Sequence, residues 1–309
     1  MKIIGLDALV FGVEDMEESA QCLVDYGLTA CDVTPAGGRF EALDGTSVIL
    51  RMADDASLPP AISLAPSLRE TVYGVEDAET LEQIADELGK DRTVTRGEGG
   101  SVHSVDDSGF AIGFQITCRR PFDAPADLTN SPGHPAQRPA NQLGIDFDTQ
   151  ALPRTLSHVV YFVPDSKKAE AFYAQRLKFV TTDSFIGAGP FMRPAAMEDH
   201  HTLFFIQTPP HMQGVEHFTF HMGSGSEVLQ AGTRFAEKGY TSFWGPGRHL
   251  LGSNWFWYFN TPLGCHIEYD ADMDIHDDEW VAREVPMSAD TSQLFLFESR
   301  KKWAPGGGE

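Results

Sequence analysis

The sequence predicts an α+β protein with two domains, each built from two strand–helix–strands units that curl a sheet around a shared cavity. Three observations predict this fold. The chain has 309 residues, which suits two domains of ordinary size. A stretch rich in Pro, Asn and Asp divides it near the middle, and the two halves repeat one pattern.

The first unit of each half opens in the same way. In the second half an apolar strand, LSHVVYFV, is followed by a turn at Pro164-Asp165 and a helix. In the first half the strand ends at Val13 and an acidic turn precedes the helix. Helical spacing predicts buried faces on both helices, formed by Cys22, Leu23 and Tyr26 and by Ala169, Phe172, Tyr173 and Leu177.

A finer repeat lies inside each half. In the second half the strand VEHFTFHM is followed by a helix over residues 226–238 and by strands at 255–260 and 264–269. The order strand, helix, strands therefore occurs four times. A single unit of this kind has an unpaired sheet edge and a bare apolar face, and pairing two units covers both.

Domain boundaries follow from these repeats. We predict an N-terminal domain over residues 1–118, a linker over 119–153, a second domain over 154–272 and a C-terminal tail over 273–309. The residues described below make the second domain the catalytic, metal-binding one and the first its non-catalytic copy. Trp280 and Trp303 are the aromatic residues expected to tether that tail.

Composition narrows the function. The 45 acidic and 23 basic residues give a formal charge of −22, which argues against binding to nucleic acid or anionic lipid. Four cysteines without a C-x-x-C pair predict reduced thiols and a cytoplasmic location. The N-terminus has the pattern of a first strand and not of a signal peptide, and no apolar run has the length of a membrane helix.

Three residues of the second half occupy equivalent strand positions and are candidate metal ligands: His158, His217 and Glu268. They lie more than 50 residues apart along the chain, so only the pairing of units can bring them together. Two histidines and one carboxylate form the facial triad of non-haem Fe(II) oxygenases. A single histidine on an apolar strand is more often a core residue, and structural roles remain the alternative.

The first half serves as an internal control for this hypothesis. Aligning the halves places Ala8 opposite His158, Gly113 opposite Glu268, and Glu70 or Thr71 opposite His217. Residues required by the fold would be repeated in both halves. We therefore expect a site confined to the second half.

Three further residues are candidates for catalysis. His201 begins the strand HTLFFIQ, aligns with Gly45, and has His200 beside it facing the opposite side. His249 is expected in a glycine-rich loop, GPGRHLLGSN, and Tyr258 on the following strand. Histidine exchanges protons near neutral pH, and a tyrosine hydroxyl can donate to a substrate oxygen. The remaining histidines are assigned structural or surface roles: His103, His134, His211, His221, His266 and His276.

The second half resembles the catalytic domain of the type I extradiol catechol dioxygenases, in the vicinal oxygen chelate (glyoxalase–bleomycin resistance–dioxygenase) superfamily. The stretches that carry this resemblance are LSHVVYFV, HHTLFF, VEHFTFHM and above all GRHLLGSNWFWYFNTPLGCHIEYD. The first half resembles the family only in architecture. The resemblance implies βαβββ modules, paired into two domains with curved, barrel-like mixed sheets.

The resemblance also implies roles. His158, His217 and Glu268 match the Fe(II) ligands, His201 the histidine that faces the O₂ site, and His249 with Tyr258 the pair that contacts the catechol oxygens. The implied reaction opens a catechol ring with O₂ to a hydroxymuconic semialdehyde-type product. A homo-oligomer is expected, and Mn(II) could replace Fe(II) with the same ligands.

Two other functions stay open at this point. A glyoxalase-like isomerase would need a second carboxylate ligand, and a metal-free binding protein would not need three ligand-type residues. The substrate is not specified beyond an aromatic diol; substituted catechols, biphenyl-type diols and trihydroxylated aromatics are candidates. The aromatic residues that could line its pocket are Phe185, Phe191, Phe243, Trp255 and Trp257.

Overall fold

The computed structural model describes residues 1–145 and 150–297. Four βαβββ units follow one another along this part of the chain, as the sequence predicts. The first half consists of β1 Ile3–Val13, α1 Met16–Tyr26, β2 Thr29–Thr34, β3 Gly37–Glu41, β4 Ser47–Met52, β5 Ser67–Val75, α2 Ala78–Leu88, β6 Thr95–Arg96, β7 Val102–Val105 and β8 Ala111–Ile116.

The second half repeats the pattern and then adds further elements. Its two units consist of β9 Thr155–Val163, α3 Ser166–Leu177, β10 Phe179–Ile186, β11 Gly189–Pro194, β12 Leu203–Gln207, β13 Gly214–His221, α4 Gly225–Glu237, β14 Ser242–His249, β15 Trp255–Asn260 and β16 His266–Ala271. The segment predicted as a tail contributes β17 Arg283–Pro286, α5 Ala289–Ser292 and β18 Gln293–Leu296.

Each long helix begins at a residue whose side chain accepts a backbone N–H three positions later. The capping residues are Asp15, Asp77, Asp165 and Ser224. Such caps satisfy backbone donors that the first turn leaves without partners. Asp165 is the second residue of the turn that the sequence predicts between β9 and α3.

The strands form two mixed sheets, one in each half. The first has eight strands in the order β2-β3-β4-β1-β5-β8-β7-β6. The second has ten, in the order β17-β10-β11-β12-β9-β13-β16-β15-β14-β18. In each sheet the opening strands of the two units, β1 with β5 and β9 with β13, pair antiparallel at the centre. This pairing sets the first strands of two units side by side.

The buried faces of α1 and α3 are those that helical spacing predicts. Cys22, Leu23 and Tyr26 are buried on α1, and the predicted apolar positions of α3 are buried as well. The Tyr26 ring stacks on Tyr269 of β16 with centroids 4.0 Å apart. Its hydroxyl donates to the backbone carbonyl of Glu268 at 2.6 Å, so the first half packs directly against the strand that carries Glu268.

The segment that follows β16 is anchored to the second sheet by Trp280. Trp280 donates its indole N–H to the carbonyl of Thr182 at 2.8 Å and stacks on His276 at 3.8 Å, as expected of a tether. Trp303 lies outside the described residues. Residues 119–145 and 150–154 form no helix or strand, and no helix in the described part of the chain is long and apolar enough to cross a membrane.

Candidate metal centre and its cavity

The side chains of His158, His217 and Glu268 converge on one point. They lie on the adjacent strands β9, β13 and β16, and their donor atoms all fall within 4.8 Å of one another. The Nε2 atoms of the two histidines are 3.3 Å apart, and Glu268 Oε2 lies 3.1 Å from His158 Nε2 and 3.5 Å from His217 Nε2. All three residues are buried.

Each histidine has its second ring nitrogen already engaged. Nδ1 of His158 lies 2.8 Å from the hydroxyl of Ser157, and Nδ1 of His217 is bonded to the carboxylate of Glu216. A bonded Nδ1 orients the ring and leaves Nε2 as the atom available to a metal. Oε1 of Glu268 is buried and accepts no hydrogen bond. These donors therefore fit a divalent metal ion.

The charges of the cluster also suit a cation. Burial by itself would raise the pKa of Glu268, but a hydrogen bond from His158 and the nearby His217 hold that pKa below its usual range. Burial lowers the pKa of His158, while the Glu216 carboxylate raises the pKa of His217 in spite of burial. The Thr219 hydroxyl donates to Glu268 Oε2 at 2.5 Å and fixes that carboxylate further.

His249 and Tyr258 adjoin the cluster. Tyr258 OH and Nε2 of His249 are 3.2 Å apart, and the same nitrogen lies 3.5 Å from Glu268 Oε1. The expectation that His249 lies in a loop is wrong, since it is the last residue of β14. The strand extends this far because Arg248 and His249 pair with β18, a strand from the segment predicted as a tail.

His201 also faces this region, but its local structure differs from the prediction. The strand β12 begins at Leu203, so His201 precedes it. His200 does not point to the opposite side, because its Nδ1 lies 3.0 Å from Nδ1 of His201. The backbone N–H of His200 donates to the carbonyl of Asp274, and its carbonyl accepts from the side chain of Thr182. His200 therefore lies outside the backbone ladder of the sheet and is released from strand alternation. Burial and the nearby His158 lower the pKa of His201 well below its usual value.

A cavity opens onto these residues. One end carries the histidines and Tyr258, and the other is an apolar wall. That wall consists of Val160, Phe185, Phe191, Phe204, Ile206 and Leu251. Phe243 also lines the cavity as expected, whereas Trp255 and Trp257 are not among its lining residues.

Sequence reasoning missed several lining residues. Glu216 and Trp244 line the cavity, as do Asn254 and Ser292. Glu216 was not singled out because strand alternation turns it away from the face of His217. A register shift between Val215 and His217 brings both side chains to one site. That irregularity has no signature in the sequence.

The equivalent place in the first half has different side chains. Val10 pairs with Glu70 as Val160 pairs with His217, so Ala8 and Glu70 correspond to His158 and His217. Gly113 and His103 pair across β7 and β8 as Glu268 and Tyr258 pair across β15 and β16. Nδ1 of His103 lies 2.7 Å from Glu70 Oε1, so a histidine–carboxylate pair fills the position.

The parallel pairing also corrects one detail of the internal alignment. Leu9 pairs with Val48 in the first half, and Val159 pairs with Leu203 in the second. The residue equivalent to His201 is therefore Thr46 and not Gly45.

Comparison with known proteins agrees with the fold. Residues 155–269 match the model of the Glyoxalase/Bleomycin resistance protein/Dioxygenase superfamily. A stretch of 149 residues, 47% of this chain, is 35% identical to Metapyrocatechase 2 of Cupriavidus necator and spans 46% of that protein. The chain thus aligns with less than half the length of this relative.

Two further similarities extend over more of the chain. Over 216 residues it is 29% identical to biphenyl-2,3-diol 1,2-dioxygenase of Paraburkholderia xenovorans, covering 68% of this chain and 70% of that one. The crystal structure of the Mn(II)-bound glyoxalase from Novosphingobium aromaticivorans matches with a TM-score of 0.75 at 18% identity, over 99% of this chain and 97% of the other. At that identity the structural match demonstrates the fold alone.

Proposed function

We propose that the chain is an extradiol ring-cleaving dioxygenase acting on catechol-type aromatics. In this reaction the ring bond beside one hydroxylated carbon breaks, and both oxygen atoms of O₂ enter a hydroxymuconic semialdehyde-type product. No external reductant is needed. The observation that carries the proposal is the convergence of His158, His217 and Glu268 beside His201, His249 and Tyr258. The four histidines and Tyr258 line one cavity. The names of the relatives support it.

We assign Fe(II) to His158, His217 and Glu268, with Mn(II) as the metal that the same ligands would also accept. When bound, the metal supplies a template for the diol and O₂ and a path for electrons between them. The protein's part is to keep both Nε2 atoms free and the carboxylate ionised. Ser157, Glu216 and Thr219 do this through the hydrogen bonds they make to these side chains.

His249 is the residue we propose for taking a proton from the catechol. Its Nδ1 lies 2.9 Å from the carbonyl of Ser292, and a carbonyl only accepts, so Nδ1 carries the proton. The lone pair of the neutral ring then lies on Nε2, the atom that faces Tyr258 and the cavity. Burial raises the pKa of Tyr258 well above its usual value, so its hydroxyl stays protonated and available as a donor.

We propose that the substituent of the substrate packs against the apolar wall. With the two hydroxyls at the histidine end, the rest of the ring meets Phe191 and Phe204, which stack with centroids 3.9 Å apart. Burying apolar area there is favourable, whereas a charged substituent would lose its hydration. Alkyl- or aryl-substituted catechols are therefore preferred, in keeping with a relative named for biphenyl-2,3-diol.

The isomerase alternative is less favoured by this geometry. Within residues 1–145 and 150–297, the group of side chains able to hold a metal at this point contains one carboxylate, Glu268. The nearby Glu216 bonds to Nδ1 of both His217 and His266. It is thereby committed to orienting histidines.

The experiment is anaerobic reconstitution with Fe(II), followed by addition of air to a panel of catechols while visible absorbance and O₂ uptake are recorded. A yellow product with one O₂ consumed per catechol is expected. Comparing the activity of protein loaded in parallel with Mn(II) shows which of the two metals supports the reaction. Metal binding without O₂ uptake on any catechol would contradict the proposal, and failure to bind metal would contradict the ligand assignment.

Two broader expectations accompany this function as proposals. The four cysteines are free thiols, which supports a reducing compartment such as the cytoplasm. A homo-oligomer is proposed from the resemblance to the family, and sedimentation analysis tests it.

A further inference from the structure

A line of hydrogen-bonded side chains leads from the edge of the second sheet to the cavity. Asp183 of β10 is completely buried, and the guanidinium and backbone N–H of Arg283 of β17 donate to it. Asp183 Oδ2 lies 2.9 Å from Nε2 of His200. Nδ1 of His200 lies 3.0 Å from Nδ1 of His201, which lines the cavity.

The directions of these bonds follow from the chemistry of the groups. Burial would raise the pKa of Asp183, but hydrogen bonds from His200 and Arg283 lower it to about 2, so Asp183 is a carboxylate that only accepts. Nε2 of His200 therefore carries a proton. In a neutral His200 the other nitrogen, Nδ1, is then an acceptor, and Nδ1 of His201 must be the donor. This leaves the lone pair of His201 on Nε2.

The rings of both histidines are held in place by their surroundings. His200 is completely buried, with its backbone fixed by Asp274 and Thr182. Gly252 approaches it so closely that a Cβ there would lie 3.1 Å from Nδ1 of His200, at a backbone φ of +80° that favours glycine. The neighbouring His201 packs on Phe191 with centroids 5.0 Å apart.

We propose that Asp183 and His200 are positioning residues that set the tautomer and orientation of His201, so that its Nε2 faces the cavity. The inference rests on the proposed function, in which His201 exchanges a proton with the reacting oxygen atoms. Asp183 and His200 touch neither substrate nor metal. They act through His201, as a carboxylate orients a catalytic imidazole in other enzymes. Arg283 ties this arrangement to β17, a strand from the segment predicted as a tail.

The direct test reads the tautomer without metal or substrate. Nitrogen-15 spectra of histidine-labelled, metal-free protein are recorded for the wild type and His200→Phe, with the His201 signals assigned by their loss in His201→Gln. We expect a wild-type His201 protonated on Nδ1 and a shift toward the Nε2-protonated form in His200→Phe. An unchanged tautomer would overturn the proposal.

Kinetics provide the second measurement. In His200→Phe and Asp183→Asn, we expect kcat to fall about 10- to 100-fold while metal content and the anaerobic Kd for catechol stay within twofold. His276→Phe is the matched control, because His276 contacts His200 from another side, with ring centroids 5.4 Å apart, and lies outside the line. A kcat loss as large in His276→Phe as in His200→Phe would indicate general disruption and contradict the proposal.

The proposed function and the positioning role of Asp183 and His200 can be refuted separately. A wild type that cleaves no catechol would refute the proposed function, while the spectra would still report whether Asp183 and His200 set the tautomer of His201. A wild type that cleaves catechols, with variants unchanged in spectrum and kcat, would refute the positioning role alone.

Discussion

The two halves of the molecule share one fold and differ at the point where the candidate metal site lies. In the second half, His158, His217 and Glu268 direct donor atoms to one point. In the first half Ala8 offers no ligand at the equivalent position. The remaining space is filled by the pair of Glu70 and His103.

Gly113 explains why the first half cannot simply regain the site. It corresponds to Glu268, and a Cβ placed on it would lie 3.1 Å from Glu70 Oε1 and 3.2 Å from His103 Nδ1. Any larger side chain there would have to displace that pair. The paired βαβββ units supply the cavity, while a few inward positions decide whether it carries a set of candidate metal ligands.

The largest expected effect comes from removing a ligand. His217→Ala should abolish metal binding and lower activity by more than about 100-fold, because it removes one of the three proposed metal ligands. The matched control is Glu70→Ala at the equivalent position of the first half, which should bind metal as the wild type does. Metal analysis after reconstitution measures both. Equal loss in the two variants would end the distinction between the halves.

The apolar wall should affect substrate choice. Phe204→Ala removes about 50 Å² of contact, or about 1.3 kcal/mol, and should raise KM for an aryl-substituted catechol roughly tenfold. KM for unsubstituted catechol should change little. Phe40→Ala makes the same deletion in the core of the first half and should leave both values unchanged. A uniform rise for both substrates in Phe204→Ala would contradict the proposed orientation.

The contact between the halves should affect stability. Tyr26→Phe removes the bond from the tyrosine hydroxyl to the buried carbonyl of Glu268 and should lower the free energy of unfolding by about 1–2 kcal/mol. Tyr269→Phe removes the reverse bond, to the carbonyl of Tyr26, and should cost a similar amount. Urea denaturation measures both. Wild-type stability in both variants would show that these bonds contribute nothing net.

The smallest effect concerns pH and the pair in the first half. A hydrogen bond with Glu70 raises the pKa of His103 above 6.5. The stabilisation that this bond gives to the folded state is therefore complete below about pH 6.5 and is lost as the pH rises through the folded-state pKa of His103. The free energy of unfolding of the wild type should exceed that of His103→Gln by more at pH 5.5 than at pH 8.5. The difference between the two pH values should be less than about 1 kcal/mol. The opposite slope would contradict the ionised pair.

Much of the fold could be predicted because the repeat consists of patterns that are local in the sequence. Alternating apolar strands, acidic turns and the buried positions of α1 and α3 recur in both halves, and each is a short-range feature. The convergence of His158, His217 and Glu268 could also be anticipated from their equivalent places in paired units. The four-unit order is confirmed by the structure.

What could not be predicted depends on contacts distant in sequence. His249 ends a strand because β18 pairs with β14. The sequence around His249 contains no pattern that predicts this pairing. The contact of His200 with His201 arises where the chain leaves regular strand geometry. Glu216 reaches the site through a register shift. The role proposed for Asp183 depends on its bond to Arg283, which lies 100 residues away along the chain.

The most direct test of the central claim is a reaction of the Fe(II)-loaded protein with an alkyl- or aryl-substituted catechol under ¹⁸O₂, followed by mass spectrometry of the product. The account predicts a ring-opened product that contains both labelled atoms and is absent from the His217→Ala reaction. A product that keeps the ring closed and contains one labelled oxygen atom would contradict this claim, as would an isomer of the substrate without label.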